Sequence, residues 1–131
     1  MSETTQTRFL RSTPVLKSAD YARSRAFYVD TLGYHVVEEG GDPPRFGIFD
    51  RDTSVLFVNA WHGPPAAGEG GWCAYIHVDG LDALADAYKA AGAPITRPIE
   101  LTVYGMREFE VTDPDGNILC FGEDPDADNG S

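Results

Sequence analysis

Positive charge, sulfur and long apolar runs are all scarce in this chain. Ten Lys and Arg stand against 21 Asp and Glu, a formal charge of -11. Such a balance repels phosphate backbones and anionic membrane surfaces, which sets nucleic acid aside as a partner and favours a cationic ligand. Two cysteines are too few for a disulfide framework, and Cys73 and Cys120 are too far apart in sequence to be a close metal-type pair. The three histidines, His35, His62 and His77, include no i, i+4 pair. Apolar runs extend only a few residues against the roughly 20 needed to span a bilayer, and no basic segment with an apolar core opens the sequence. No membrane association and a cytoplasmic location are therefore expected.

What is present suits one folded domain. The chain has 131 residues, 42% of them apolar and 11% aromatic, enough for a single core with little room for a second. Residues 1–7 and the acidic 124–131 read as tails. Residues 63–71 (GPPAAGEGG) hold two prolines and four glycines and break the domain almost in half. The first half, about residues 9–62, and the second, about 72–123, read alike.

Each half opens with a short apolar run and an amphipathic helix, then continues in strands. In the first, Pro14-Val15-Leu16 precedes a helix over 18–32 with Tyr21, Ser24, Phe27, Tyr28 and Leu32 on one face, Ser18 or Asp20 as cap and Gly33 as stop. Strands are expected over 34–38, 46–50 and 54–60, separated by GGDPP and RDT. In the second half a strand over 72–78 precedes a helix over 81–91 with Leu81, Leu84, Tyr88 and Ala91 as its stripe and Gly92 as stop. Ile95-Thr96, a segment near 99–103, and 107–111 follow; Asp113-Pro-Asp-Gly-Asn117 then forms a hairpin turn before 118–121. A helix-and-strand order that recurs at this scale argues for two similar modules in one structure.

This doubled arrangement, the segment PVLKSADYARSRAFYVDTLG (14–33) and the ending GMREFEVTDPDGNILCFGE (105–123) resemble the vicinal oxygen chelate superfamily, the glyoxalase, bleomycin-resistance and extradiol-dioxygenase group. The resemblance covers about residues 11–123. It is greatest to bleomycin-resistance proteins, through PVL before the first helix, DTSVLFVNA in the fourth strand, GLDAL at the second helix and REFEVTDPDGN near the end. The resemblance implies an α+β fold of two paired βαβββ modules, a cup-shaped mixed sheet with helices outside, commonly completed in a homodimer. Enzymes of the group hold a divalent metal with His, Glu or Gln at one position in each of four strands. Those positions fall on Thr13, Phe57, Cys73 and Cys120, none of them His or carboxylate, so no metal and no other cofactor are expected.

Because strand side chains alternate, that alignment turns Thr13, Val15 and Lys17, Phe57, Asn59 and Trp61, Cys73, Tyr75 and His77, and Ile118 and Cys120 toward the cup. The opposite, apolar parity (Leu56, Val58, Ala74, Ile76, Val78, Leu119, Phe121) belongs under the helices. A mixed face of aromatic, amide, imidazole and thiol groups suits a binding wall; a dimer interface would equally place Trp61 and Tyr75 there. Cys73 and Cys120 are expected on neighbouring strands and one face, either as two small buried side chains or as a reversible thiol pair. His77 reads as a rim residue or a base that orients a ligand, and Glu108 and Glu110 share a face as an acid/base pair, an anionic wall or a solvated surface. The resemblance adds that Phe46 and Tyr104 would flank planar rings of a ligand, with Asn59 as a small polar contact.

Three functional readings follow. The first is metal-independent binding and sequestration of a planar, cationic, bleomycin-type small molecule by a homodimer. A metal-dependent lyase, isomerase or dioxygenase with an atypical site is the alternative. A redox- or ligand-sensing module built on Cys73 and Cys120 is the third.

Overall fold

The computed structural model describes residues 6–66 and 71–126; parts of the linker at 63–71 and of both tails lie outside the described residues. Among the described residues, eight strands form two four-stranded mixed sheets, each with one helical element. The first sheet holds β1 (Val15–Lys17), β2 (His35–Gly41), β3 (Pro44–Arg51) and β4 (Ser54–Asn59) in the order β1-β4-β3-β2. The second holds β5 (Trp72–His77), β6 (Ile95–Leu101), β7 (Arg107–Thr112) and β8 (Ile118–Glu123) in the order β5-β8-β7-β6. In each, the strand before the helix pairs parallel with the last strand, and the remaining pairs are antiparallel. The α+β architecture is that of paired βαβββ modules. Among the described residues no helix is long and apolar enough to cross a membrane.

Local chemistry explains the helices. In α1 (Tyr21–Ala26), Asp20 is the cap, its side chain accepting the Arg23 amide, and Ser18 supports it by accepting the Asp20 amide through Oγ. The expected single helix does not run on as α-helix: Phe27–Thr31 forms a π-helical stretch before Gly33, at φ +82°, turns the chain. Helix α2 (Leu81–Ala90) buries Leu81 and Tyr88 and stops at Gly92, φ +83°.

Two strand boundaries differ from expectation. Strands β2 and β3 extend through Gly40-Gly41 and Pro44, because a register shift at Gly40/Gly41 absorbs the glycines inside the ladder. Likewise Ile95–Leu101 is one strand despite Pro98, since β6 lies at a sheet edge where a missing N–H costs no ladder bond.

Each sheet turns one face inward. In the first, Leu16, Phe49, Leu56 and Val58 are buried while Val15 is half exposed, so alternation sorts aliphatic from mixed faces as expected. The buried faces and both helices share one core, from Tyr28, Leu32 and Tyr34 to Tyr88, Phe109 and Phe121. Polar clasps join the halves across it. Tyr28 Oη donates to Asp113 Oδ2 at 2.6 Å, Tyr88 Oη to the Leu32 carbonyl at 2.7 Å, and Asn117 Nδ2 to the Lys17 carbonyl at 2.9 Å. The DPDGN turn is thus also a clamp: Asp113 Oδ1 accepts the amides of Asp115 and Asn117 while Oδ2 faces Tyr28.

Candidate functional site

With the helices on one side, the other face of each sheet is left open, and each open face carries a group of aromatic side chains. On the first, Phe46 of β3 lies opposite Asn59 of β4 and meets Phe57 edge-on, centroids 5.3 Å apart. Trp61, in the turn after β4, lies parallel to Phe46 at 6.0 Å and 11°. Asn59 Oδ1 accepts the Trp61 amide at 2.8 Å, and the indole lies over Gly40 and Gly41. Asn59 therefore spends its amide oxygen on positioning Trp61. The indole is about half exposed, 48%, and keeps one ring surface available.

The second face centres on Glu108 of β7. Its Oε2 accepts from Tyr75 at 2.8 Å and Tyr104 at 2.6 Å, and its Oε1 from Arg97 Nη2 at 2.9 Å, which leaves the residue fully covered. Burial pushes this carboxyl up, but hydrogen bonds from Tyr104, Arg97, Tyr75 and Cys120 outweigh it and hold Glu108 below the ordinary carboxylate value. Arg97 also reaches Glu110 at 2.9 Å and Glu100 at 2.6 Å, so one guanidinium serves three carboxylates. Trp72 donates through Nε1 to Glu110 at 2.8 Å and packs its ring 5.2 Å from Tyr75. Tyr75 can lie across β8 only because residue 122 is glycine; a Cβ there would overlap the phenol.

The expected residues divide between these groups. Phe46, Phe57, Asn59 and Trp61 assemble on the first face; Tyr75, Tyr104, Glu108 and Cys120 on the second, with His77 against Tyr75 at 4.9 Å. Phe46 and Tyr104, expected to flank one planar ligand, belong to different groups within the chain. Thr13 lies before β1 rather than in it. The expectation that Cys73 and Cys120 share one face is corrected: a register shift between Trp72 and Ala74 interrupts the alternation, and Cys73 Sγ instead meets Asn117 Oδ1 at 3.4 Å. Both cysteines are free, Cys73 exposed and Cys120 buried. Burial and the neighbouring Glu108 charge push the Cys120 thiol up to about 12.

Sequence reasoning missed Arg97 and Trp72. Pairing of Arg97 with Glu110 depends on an irregular β6–β7 register that no local pattern announces. Trp72 joins Tyr75 because of the same bulge that displaces Cys73.

The donor set does not fit a resident divalent metal. Phe57 has no donor atom, Cys73 is engaged with Asn117, Cys120 keeps its proton, and both Glu108 oxygens are already hydrogen-bonded. Among the described residues no group of three His, Cys, Asp or Glu could hold an ion.

Comparison with known proteins shows where this fold recurs. A family model described as Glyoxalase/Bleomycin resistance protein/Dioxygenase superfamily matches residues 14–121. No curated protein matches the chain. Among solved structures, the bleomycin-binding protein from bleomycin-producing Streptomyces verticillus, complexed with copper(II)-bleomycin, is 27% identical at a TM-score of 0.72, with 88% of this chain and 97% of that one covered. A second bleomycin-binding protein, complexed with bleomycin, is 24% identical at 0.73, covering 88% and 98%. Lactoylglutathione lyase from Agrobacterium tumefaciens is similar in fold at 18% identity and 0.70, covering 90% and 96%.

Proposed function

Since the chain belongs to the Glyoxalase/Bleomycin resistance protein/Dioxygenase superfamily, we propose that it binds and sequesters a planar, cationic small molecule of the bleomycin type without chemical change. The observation that carries this reading is the pair of open aromatic faces. The exposed surface of Trp61 extends the Phe46–Trp61 stack and offers a planar heteroaromatic ring an offset contact. Trp72, Tyr75 and Tyr104 surround carboxylates in a protein of net charge -11, which favours a cationic group. The ligand-contacting residues on this reading are Phe46, Phe57, Trp61, Tyr75, His77 and Tyr104; Asn59, Glu108 and Cys120 act through the side chains they hold, and Cys73, turned toward Asn117, leaves the set.

A homodimer would complete the site. No described residue forms a covering layer over either open face, and a two-fold partner would set the Trp61 face of one copy against the Glu108 face of the other. Phe46 and Tyr104 would then come from different subunits. Acid–base chemistry gains no support from Glu108, whose oxygens are occupied by Tyr75, Tyr104 and Arg97. Isothermal titration with metal-free bleomycin tests the proposal. Saturable heat at micromolar concentrations, reduced at least tenfold in affinity by Trp61→Ala, is expected; no heat from folded protein at tens of micromolar would remove this drug class as the ligand.

A further inference from the structure

A cavity of about 300 Å³ lies between the two halves of the chain. Its walls come from both: Arg51 and the β3–β4 turn on one side, the end of β5 and helix α2 on the other. Ile76, Val78, Leu84 and Phe121 supply its apolar lining, and polar groups stand on both sides, Arg51 and Ser54 on one and His77 and Asp79 on the other. Ligand sites characteristically combine an apolar floor with a few convergent polar groups.

Arg51 is the group whose bonding is incomplete. Its Nη1 donates to the Leu32 carbonyl at 2.8 Å and to Tyr88 Oη at 3.2 Å. Nε and Nη2 have no acceptor among the described residues, and no carboxylate pairs with the guanidinium. Gly33 permits this placement, because a Cβ there would stand 3.1 Å from Nη1. The guanidinium is thus fixed by one nitrogen and presents its other edge for two parallel hydrogen bonds, the geometry that matches a carboxylate. Ser54, bonded to Tyr34 at 2.8 Å, adds a hydroxyl to the same wall.

Charge at the mouth narrows the ligand further. Asp52 and Asp79 line the exposed rim, where water screens them from a single negative charge beside Arg51 but where a dianion would meet added repulsion. We propose that this cavity binds a small monocarboxylate with an apolar body, its carboxylate on the Nε–Nη2 edge of Arg51 and its body on Leu84 and Phe121. His77 borders both this cavity and the Tyr75 group, but Arg51, Leu84 and Phe121 belong to the cavity alone, so the proposal stands or falls independently of the sequestration reading. A bound carboxylate would touch both modules and brace the junction between them.

Benzoate is a suitable probe, with benzamide as its uncharged counterpart, followed by amide chemical shifts of the full chain. Saturable shifts at Ser54, Val78 and Tyr88, with none at Phe57 or Glu108, are expected for benzoate and not for benzamide. Arg51→Gln should weaken binding at least tenfold. Leu84→Trp, which fills the cavity and leaves Arg51 bonded to Leu32, should do the same, with native-like spectra confirming that each variant folds. Equal binding of benzamide, shifts centred on Trp61 or Tyr75, or no saturation by 10 mM (on the order of the weakest binding that would matter) would each overturn the proposal.

Discussion

Glu108 shows how a single side chain can be both buried and charged. Its carboxylate ionises at lower pH in the folded chain than in the unfolded one, where a Glu titrates near about 4.3. The contribution to stability is therefore complete above that value and is lost as pH falls through the lower folded pKa. Glu108→Gln should cost about 2 kcal/mol at neutral pH, the scale of hydrogen bonds to a charged group. In urea melts the difference from wild type should narrow as pH drops below about 4; a gap independent of pH would mean that the carboxylate is held neutral. The thiols differ in the same way for local reasons. Exposed Cys73 should react with a thiol reagent at pH 8, while buried Cys120, with its pKa near 12, should react only after denaturation. Two thiols labelled at equal rates in the native protein would contradict this placement.

At the scale of elements, bulges and glycines decide which side chains share a face. The β5 shift between Trp72 and Ala74 brings Trp72 beside Tyr75 and sends Cys73 toward Asn117. Gly122 on β8 has the complementary effect of letting the Tyr75 ring lie flat and reach Glu108. Gly122→Ala should destabilise by about 1–3 kcal/mol through overpacking and displace Tyr75. Loss of that contact would appear as a change in Tyr75 ring resonances, and an unperturbed ring would show that the strand can shift instead. At the start of α1, Asp20→Ala removes the side-chain acceptor for the Arg23 amide and should cost about 1 kcal/mol in thermal unfolding.

For the whole molecule, the decisive feature is that the polar clasps lie on the helix side while no described residue covers either open face. Tyr28→Phe removes a donor from buried Asp113 at the junction of the halves and should cost about 1–3 kcal/mol. Unfolding that stays a single transition would show that the shared core, rather than this bond, couples the modules. The uncovered faces make a prediction about assembly. Sedimentation at micromolar concentration should give twice the chain mass of 14.2 kDa, and Trp61→Glu should shift it toward the monomer by placing charge on the proposed interface. A monomer at all concentrations would require both aromatic faces to be read as solvent-exposed.

The sequence by itself determined the doubled order of helix and strands, the stops at Gly33 and Gly92 and the inward parity of Leu56 and Val58. These follow from local patterns: side-chain periodicity, caps and residues that tolerate positive φ. It also placed Phe57 and Asn59 on one face with Trp61 following them, because β4 keeps its alternation without a break. Only the tertiary structure decided that Arg97 serves three carboxylates, that Trp72 replaces Cys73 beside Tyr75, and that Asn59 holds a turn. It also decided that DPDGN clamps the halves together and that Arg51 faces a cavity between them. Each of these depends on register across strands or on contacts between residues far apart in the chain, and a one-residue shift in pairing changes which groups meet. Local pattern fixes what an element is; which charges and rings it presents to one another is settled when the elements pack.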